Sequence, residues 1–204
     1  MGFLDYFRRP PAIRDTAALA DFIDRQAAFL VQKGIYEYAR ARAGRFSHVM
    51  FTEQAFLERV NRSRWQAFPM GLAMVAEMVE GQLRPAAGED RRALLEALSA
   101  LVLSVFDRYP RPPELDEATW RQGREELQRW LAQIGTHPVK PVKDIPESFV
   151  ERYFALMPVH ERMLTADQPT TLSYLKLTLI NFHDELARRM DAAEMVTALR
   201  AGAR

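Results

Sequence analysis

The densest group of chemically versatile side chains is the run IYEYARARAGR at positions 35–45. The arginine guanidinium group binds carboxylates and phosphates with two parallel hydrogen bonds and stacks on aromatic rings. Tyrosine supplies contact area that is both apolar and polar. The combination suits a protein partner's carboxylates, an anionic lipid or nucleic acid. The structural alternative is a solvated helix end whose arginines complement the helix dipole. The candidate partner-binding residues here are Tyr36, Tyr38, Arg40, Arg42 and Arg45.

A second candidate binding segment is the apolar start of the chain, MGFLDYFRRPP. Burying Phe3, Leu4 and Phe7 contributes about 1.5–3 kcal/mol each, against an ordering cost of about 1–2 kcal/mol per residue. Even a myristoyl chain anchors only marginally. We therefore expect this arm to dock on the bundle or on a protein partner. A peripheral contact with an anionic membrane is the alternative, because two arginines follow.

Three methionines recur every four residues and so line one face of a predicted helix. They are Met70, Met74 and Met78. Flexible thioethers suit an adaptable apolar groove or a lipid-like ligand, and they also fill irregular cores. Core filling is the favoured interpretation, and an apolar groove is the alternative.

The sequence lacks the familiar catalytic and metal-binding motifs. There is no cysteine, no serine in a G-x-S-x-G elbow, no glycine-rich phosphate loop and no paired E-x-x-H motif. We therefore expect no catalytic residue, no metal and no cofactor. One open question is whether His160 and Glu161 converge with His183, Asp184 and Glu185 between antiparallel helices. The alternative is that these groups are solvated or hydrogen-bonded between helices.

The elements that position these residues are helices. Apolar side chains recur three and four positions apart over most of the chain, and no segment alternates like a strand. Pro69 is expected to break or kink a helix, because proline lacks the amide hydrogen. We predict an all-α protein, a bundle of about six to eight helices. The predicted helices cover residues 16–43, 52–64, 70–83, 89–108 and 114–134, with further ones from about 146 and about 169.

The predicted organisation is a single domain with four parts. They are an apolar arm at 1–15, a helical bundle at 16–134, a proline-rich linker at 135–145 and a helical hairpin at 146–204. The hairpin alone would have a thin core, so we expect it to pack on the bundle.

Charge and composition narrow the function classes. The net charge is +1 over 204 residues, which disfavours nucleic acid as a partner. With 48% hydrophobic and 27% charged residues, the chain resembles a soluble globular protein. The longest uncharged run, AFPMGLAMVA at 67–76, is much shorter than the about 20 residues of a membrane span. We expect a cytoplasmic protein, and its oligomeric state is left open.

The stretch ADFIDRQAAFLVQKGIYEYARARAG, about an eighth of the chain, resembles a segment of uncharacterised bacterial helical proteins. Some of these carry an esterase label, so the resemblance implies ester hydrolysis, but it brings no catalytic residue. The preferred hypothesis is a non-enzymatic helical binding protein: an adaptor, assembly factor or scaffold. The alternatives are a hydrolase with a non-standard helical active site and a carrier of a lipid-like ligand.

Overall fold

The computed structural model describes residues 11–158 and 167–202, and in these ranges the chain folds as an all-α helical bundle without strands. This confirms the predicted fold class. A π-helical turn at Phe29–Lys33 joins the first two helices, and 3₁₀ turns lie at Gly44–Phe46 and Val142–Ser148. The helices are α1 Thr16–Ala28, α2 Gly34–Ala43, α3 Ser47–Met50, α4 Gln54–Ala87, α5 Arg91–Phe106, α6 Glu117–Gln133, α7 Val150–Ala155, α8 Gln168–Arg189 and α9 Ala192–Gly202.

Helix α4 is the centre of the bundle. It packs against α1, α5, α6, α8 and α9, and every residue from 67 to 80 is buried. A helix covered on all sides must be apolar on all sides, and the methionine-rich sequence of this stretch meets that requirement. Within the described ranges, no helix combines the length and apolar character that crossing a bilayer requires.

The predicted break at Pro69 is wrong, because α4 continues through Pro69 and Pro85; the alternative of a kink there stays a prediction. Proline removes the hydrogen bond that the carbonyl of Trp65 would otherwise accept. Packing outweighs that loss here: Pro69 is itself buried, and the neighbouring helices enclose the turn on both sides of it. Tertiary packing, rather than local propensity, supplies most of the stability of a helix in a protein.

The first long helical segment begins as its sequence indicates. The Asp15 carboxylate accepts a hydrogen bond from the Ala18 amide at 2.7 Å, which caps α1. Gly44 ends α2 with a φ of +52°, a conformation that favours glycine.

The π-helical turn between α1 and α2 was not predicted. The Val31 carbonyl within it accepts a hydrogen bond from the buried Tyr153 hydroxyl at 2.9 Å. Gly34 follows directly, and a Cβ there would lie 2.5 Å from that hydroxyl and 2.7 Å from the Tyr174 ring. The turn and the glycine together let α7 and α8 approach this part of the chain closely.

The C-terminal helices share the core of the preceding ones. Buried side chains of α8 and α9 belong to the same hydrophobic cluster as those of α1, α4 and α5. At the other end, the Ile13 amide donates to the Arg189 carbonyl at 2.8 Å, and Arg189 Nε donates to the Pro11 carbonyl at 2.9 Å. The first described residues are therefore fastened to the end of α8.

Candidate functional site

The arginine-rich segment forms an exposed corner where α2 gives way to α3. The chain turns through the 3₁₀ segment, so the side chains that follow α2 project from the bundle. Phe46 is 56% exposed and Val49 is 46% exposed. We call this surface the arginine corner; it comprises Tyr36, Arg40, Arg45, Phe46 and Val49.

The two arginines of the corner are available for external contacts. Arg40 and Arg45 are exposed, and neither forms an ion pair with a carboxylate of the described residues. The Arg45 guanidinium lies 4.9 Å from the centre of the Phe46 ring, a cation–π arrangement, and its hydrogen-bond donors have no partner in the part of the chain that the structure describes. The corner therefore presents apolar area and unneutralised positive charge side by side.

Aromatic packing supports the corner from below. Tyr36 lies against Phe51 with ring centres 4.9 Å apart, and Phe51 lies against Phe56 at 5.1 Å. Phe56 is fully buried, so the stack connects the exposed surface to the core. Such support fixes the Tyr36 ring before any partner arrives.

Two of the five predicted residues point away from the corner into an internal network. The Tyr38 hydroxyl donates to Asp167 Oδ2 at 3.0 Å, Arg42 forms an ion pair with the same carboxylate, and Arg42 Nε lies 3.4 Å from the Tyr38 hydroxyl. Burial raises the pKa of Tyr38, and the Asp167 carboxylate adds to the shift while Arg42 opposes it. This network joins α2 to the start of α8.

The predicted apolar face of α4 lies in the core. Met74 and Met78 are fully buried. Met70 is also buried, but it lines a cavity of about 240 Å³ together with Trp65 and Trp120.

The remaining predicted residues divide between described and undescribed parts of the chain. Phe3, Leu4 and Phe7 lie outside the described residues, as do His160 and Glu161.

The acidic group on α8 has partners of its own. His183 Nδ1 lies 3.3 Å from the Asp184 carboxylate, whereas Glu185 accepts a hydrogen bond from Gln26 at 2.9 Å and pairs with Arg189. Within the described ranges, no group of three histidine or acidic residues is arranged to hold a metal ion.

A second polar site, which the sequence patterns did not indicate, lies between α4 and the chain after α6; its α4 residues are buried and the other two are partly exposed. We call it the buried ion cluster; it comprises Glu77, Glu80, Arg84, His137 and Lys140. Arg84 donates two hydrogen bonds of 2.7 Å to the Glu80 carboxylate and a third, of 2.8 Å, to the His137 carbonyl. The Glu80–Arg84 pair is thus locally neutral and holds the chain after α6 in place.

Glu77 is the second carboxylate of the cluster and is only 8% exposed. Its Oε1 lies 2.9 Å from Lys140 Nζ and 3.5 Å from His137 Nε2. His137 Nδ1 lies 2.8 Å from the Pro138 carbonyl. Both ring nitrogens of His137 therefore lie near acceptors, and the ring also lines the neighbouring cavity.

Sequence patterns did not indicate this cluster, because two of its members, His137 and Lys140, lie in the predicted linker. Glu80 stands four residues before Arg84 on one helix, and such residues pair with each other without a partner from elsewhere in the chain. Glu77, however, stands in an otherwise apolar stretch of α4, and a buried carboxylate requires a partner. That requirement, with His137 and Lys140 in the nearest proline-rich segment, is the signal that could have identified the site.

Comparisons of this chain with protein-family models, with curated proteins and with solved structures find no match. The ester hydrolysis implied by the sequence resemblance therefore stays a prediction.

Proposed function

We propose that this protein is a helical binding protein whose arginine corner engages an acidic segment of a protein partner. The observation that carries the proposal is the exposure of Phe46 and Val49 directly after Arg45, with Arg40 also exposed near the end of α2. Aromatic and arginine side chains are enriched at the centres of protein interfaces. The partner segment is expected to pair carboxylates with the two arginines and to place an apolar side chain on Phe46.

Two further features favour a protein partner. Arginine forks match carboxylates in bidentate geometry, and the aromatic stack under Tyr36 lowers the ordering cost of binding. A net charge of +1 gives the chain no long-range attraction for nucleic acid. The apolar arm at 1–15 is a candidate second contact, and a cytoplasmic location remains a prediction.

The test places a photo-crosslinking amino acid at position 46 and irradiates the protein in an extract of its source organism. We expect one dominant protein adduct that disappears when Arg40→Glu and Arg45→Glu are introduced together. The matched control carries the crosslinker at position 177, because Leu177 is an exposed apolar residue on α8.

Three results would contradict the proposal. Equal adducts at positions 46 and 177 would show unspecific contact. Flotation of the wild type, but not of the double variant, with anionic lipid vesicles would assign the corner to a membrane. Stoichiometric labelling of a serine by a fluorophosphonate probe would favour the hydrolase alternative.

A further inference from the structure

A cavity of about 210 Å³ opens beside the buried ion cluster. It lies between α4, α6 and the chain from His137 to Phe149. Glu77, His137 and Lys140 supply charged or titratable groups to its wall, and Trp130 and Phe149 supply aromatic surface. The two rings meet edge to face, with centres 5.3 Å apart. The cavity thus has one polar side and one aromatic side.

Glu77 retains capacity for a further donor. Lys140 Nζ is close enough to Glu77 Oε1 for an ion pair, yet this oxygen makes no well-aligned hydrogen bond within the described ranges. The contact is therefore an attraction of charges rather than a saturated hydrogen bond. A buried acceptor left in this condition is costly, and a donor bound against the same carboxylate, at Oε2, would lower that cost.

The charge balance of the site selects the kind of ligand. Glu77 is already compensated by Lys140, whose Nζ lies 2.9 Å from Glu77 Oε1. An added anion would compete with Glu77 for Lys140, and an added cation would compete with Lys140 for the carboxylate. A ligand that carries both charges leaves neither the buried Glu77 carboxylate nor Lys140 without a counter-charge.

We propose that this cavity binds a small zwitterion, an α-amino acid with an apolar side chain. The ligand ammonium group lies against the Glu77 carboxylate, and the ligand carboxylate lies against Lys140 and His137. The apolar side chain packs on Trp130 and Phe149.

The size and rigidity of the site agree with this class of ligand. The cavity is smaller than the roughly 300–1,000 Å³ of sites for drug-sized molecules, so it suits a small metabolite. Arg84 holds the His137 carbonyl from the α4 side. This contact fixes the backbone of the segment that carries His137 and Lys140 at the start of that segment, which lowers the cost of ordering it on binding.

The first experiment compares three molecules with one side chain and different charges. They are L-leucine, 4-methylpentanoate, which lacks the ammonium group, and 3-methylbutylamine, which lacks the carboxylate. Calorimetric titration of the full chain is expected to show L-leucine binding at least about tenfold more tightly than either analogue. L-methionine and L-phenylalanine extend the series.

The second experiment removes one cation. Lys140→Met keeps most of the apolar stem and is expected to weaken the binding of the best amino acid at least about tenfold. The matched control is Lys143→Met, an exposed lysine outside the cavity wall, which should leave the affinity unchanged. Circular dichroism of both variants verifies that they fold.

Several outcomes would overturn the proposal. No binding of the three amino acids at millimolar concentration would exclude it, as would equal binding of the zwitterion and its two analogues. Equal effects of the Lys140→Met and Lys143→Met changes would also do so. The outcome is independent of the arginine corner, because Arg45→Glu should not change amino-acid affinity.

Discussion

The arginine corner and the buried ion cluster use similar side chains in opposite surroundings. Arg84 is enclosed, and Glu80 and the His137 carbonyl occupy its donors. Arg45 is exposed, lies over the Phe46 ring and has no hydrogen-bond or ion-pair partner among the described residues. A charge that the fold has neutralised is needed where its partner stays buried, whereas a charge that the fold leaves open can serve an external contact. The following changes test this contrast, from the largest expected effect on stability to the smallest.

Breaking the buried pair should have the largest effect. Arg84→Met leaves Glu80 charged and buried without its counter-ion, so we expect the free energy of unfolding to fall by about 3–5 kcal/mol. Urea denaturation measures the change. The double variant Glu80→Leu/Arg84→Met removes both charges and should recover much of the loss. If Arg84→Met were as stable as the wild type, the buried arginine would matter no more for stability than the exposed arginines of the corner.

The internal network beside the corner should give an intermediate effect. Tyr38→Phe removes the hydroxyl that donates to Asp167, and we expect a loss of about 0.5–1.5 kcal/mol in the free energy of unfolding. Tyr36→Phe is the matched control, because the Tyr36 hydroxyl makes no hydrogen bond within the described ranges. Equal losses of stability in Tyr38→Phe and Tyr36→Phe would show that the hydrogen bond from Tyr38 to Asp167 does not stabilise the fold.

An exposed ion pair with the same forked geometry as the buried one should contribute less. Arg124 donates two hydrogen bonds of 2.7 and 2.8 Å to Asp107, and these bonds lower the pKa of the Asp107 carboxyl. Because the pKa is lowered in the folded state, the added stability is present above the unfolded value of about 3.9 and is lost as the pH falls through the folded value.

Asp107→Asn should therefore lower stability near neutral pH by less than about 1 kcal/mol, since solvent screens the pair. The difference from the wild type should vanish in acid. Urea denaturation over a pH series provides the measurement, and a difference that is the same at all pH values would contradict the assignment.

Changes in the corner itself should leave stability nearly unaltered. Phe46→Ser combined with Arg45→Glu is expected to shift the free energy of unfolding by no more than about 0.5 kcal/mol, although it abolishes the crosslink described above. Leu177→Ser provides an exposed apolar control on α8. A large loss of stability would mean that Phe46 and Arg45 hold the fold together.

The features of the fold that depend on residues close in sequence could be predicted from the sequence. Helical periodicity, the Asp15 cap and the Gly44 stop are properties of neighbouring residues, which the local sequence contains. The path through Pro69 depends on helices that surround it, which local pattern does not contain.

Partners distant in sequence account for the rest. Tyr38 and Arg42 looked like members of the corner, but Asp167 lies 129 residues from Tyr38 and draws the hydroxyl inward. The ion cluster likewise joins α4 to a segment that resembled a linker. Charged residues can be recognised from sequence, but whether a charge is already compensated depends on the tertiary fold.

The π-helical turn at Phe29–Lys33 has a consequence for how this surface can change during evolution. A π turn contains one residue more than an α turn, and one residue rotates everything that follows by about 100° around the helix axis. Loss of a single codon within this turn would therefore reorient the side chains of α2 while leaving the amino-acid composition of the corner intact. Insertion and deletion, more than substitution, set which face of α2 meets the solvent.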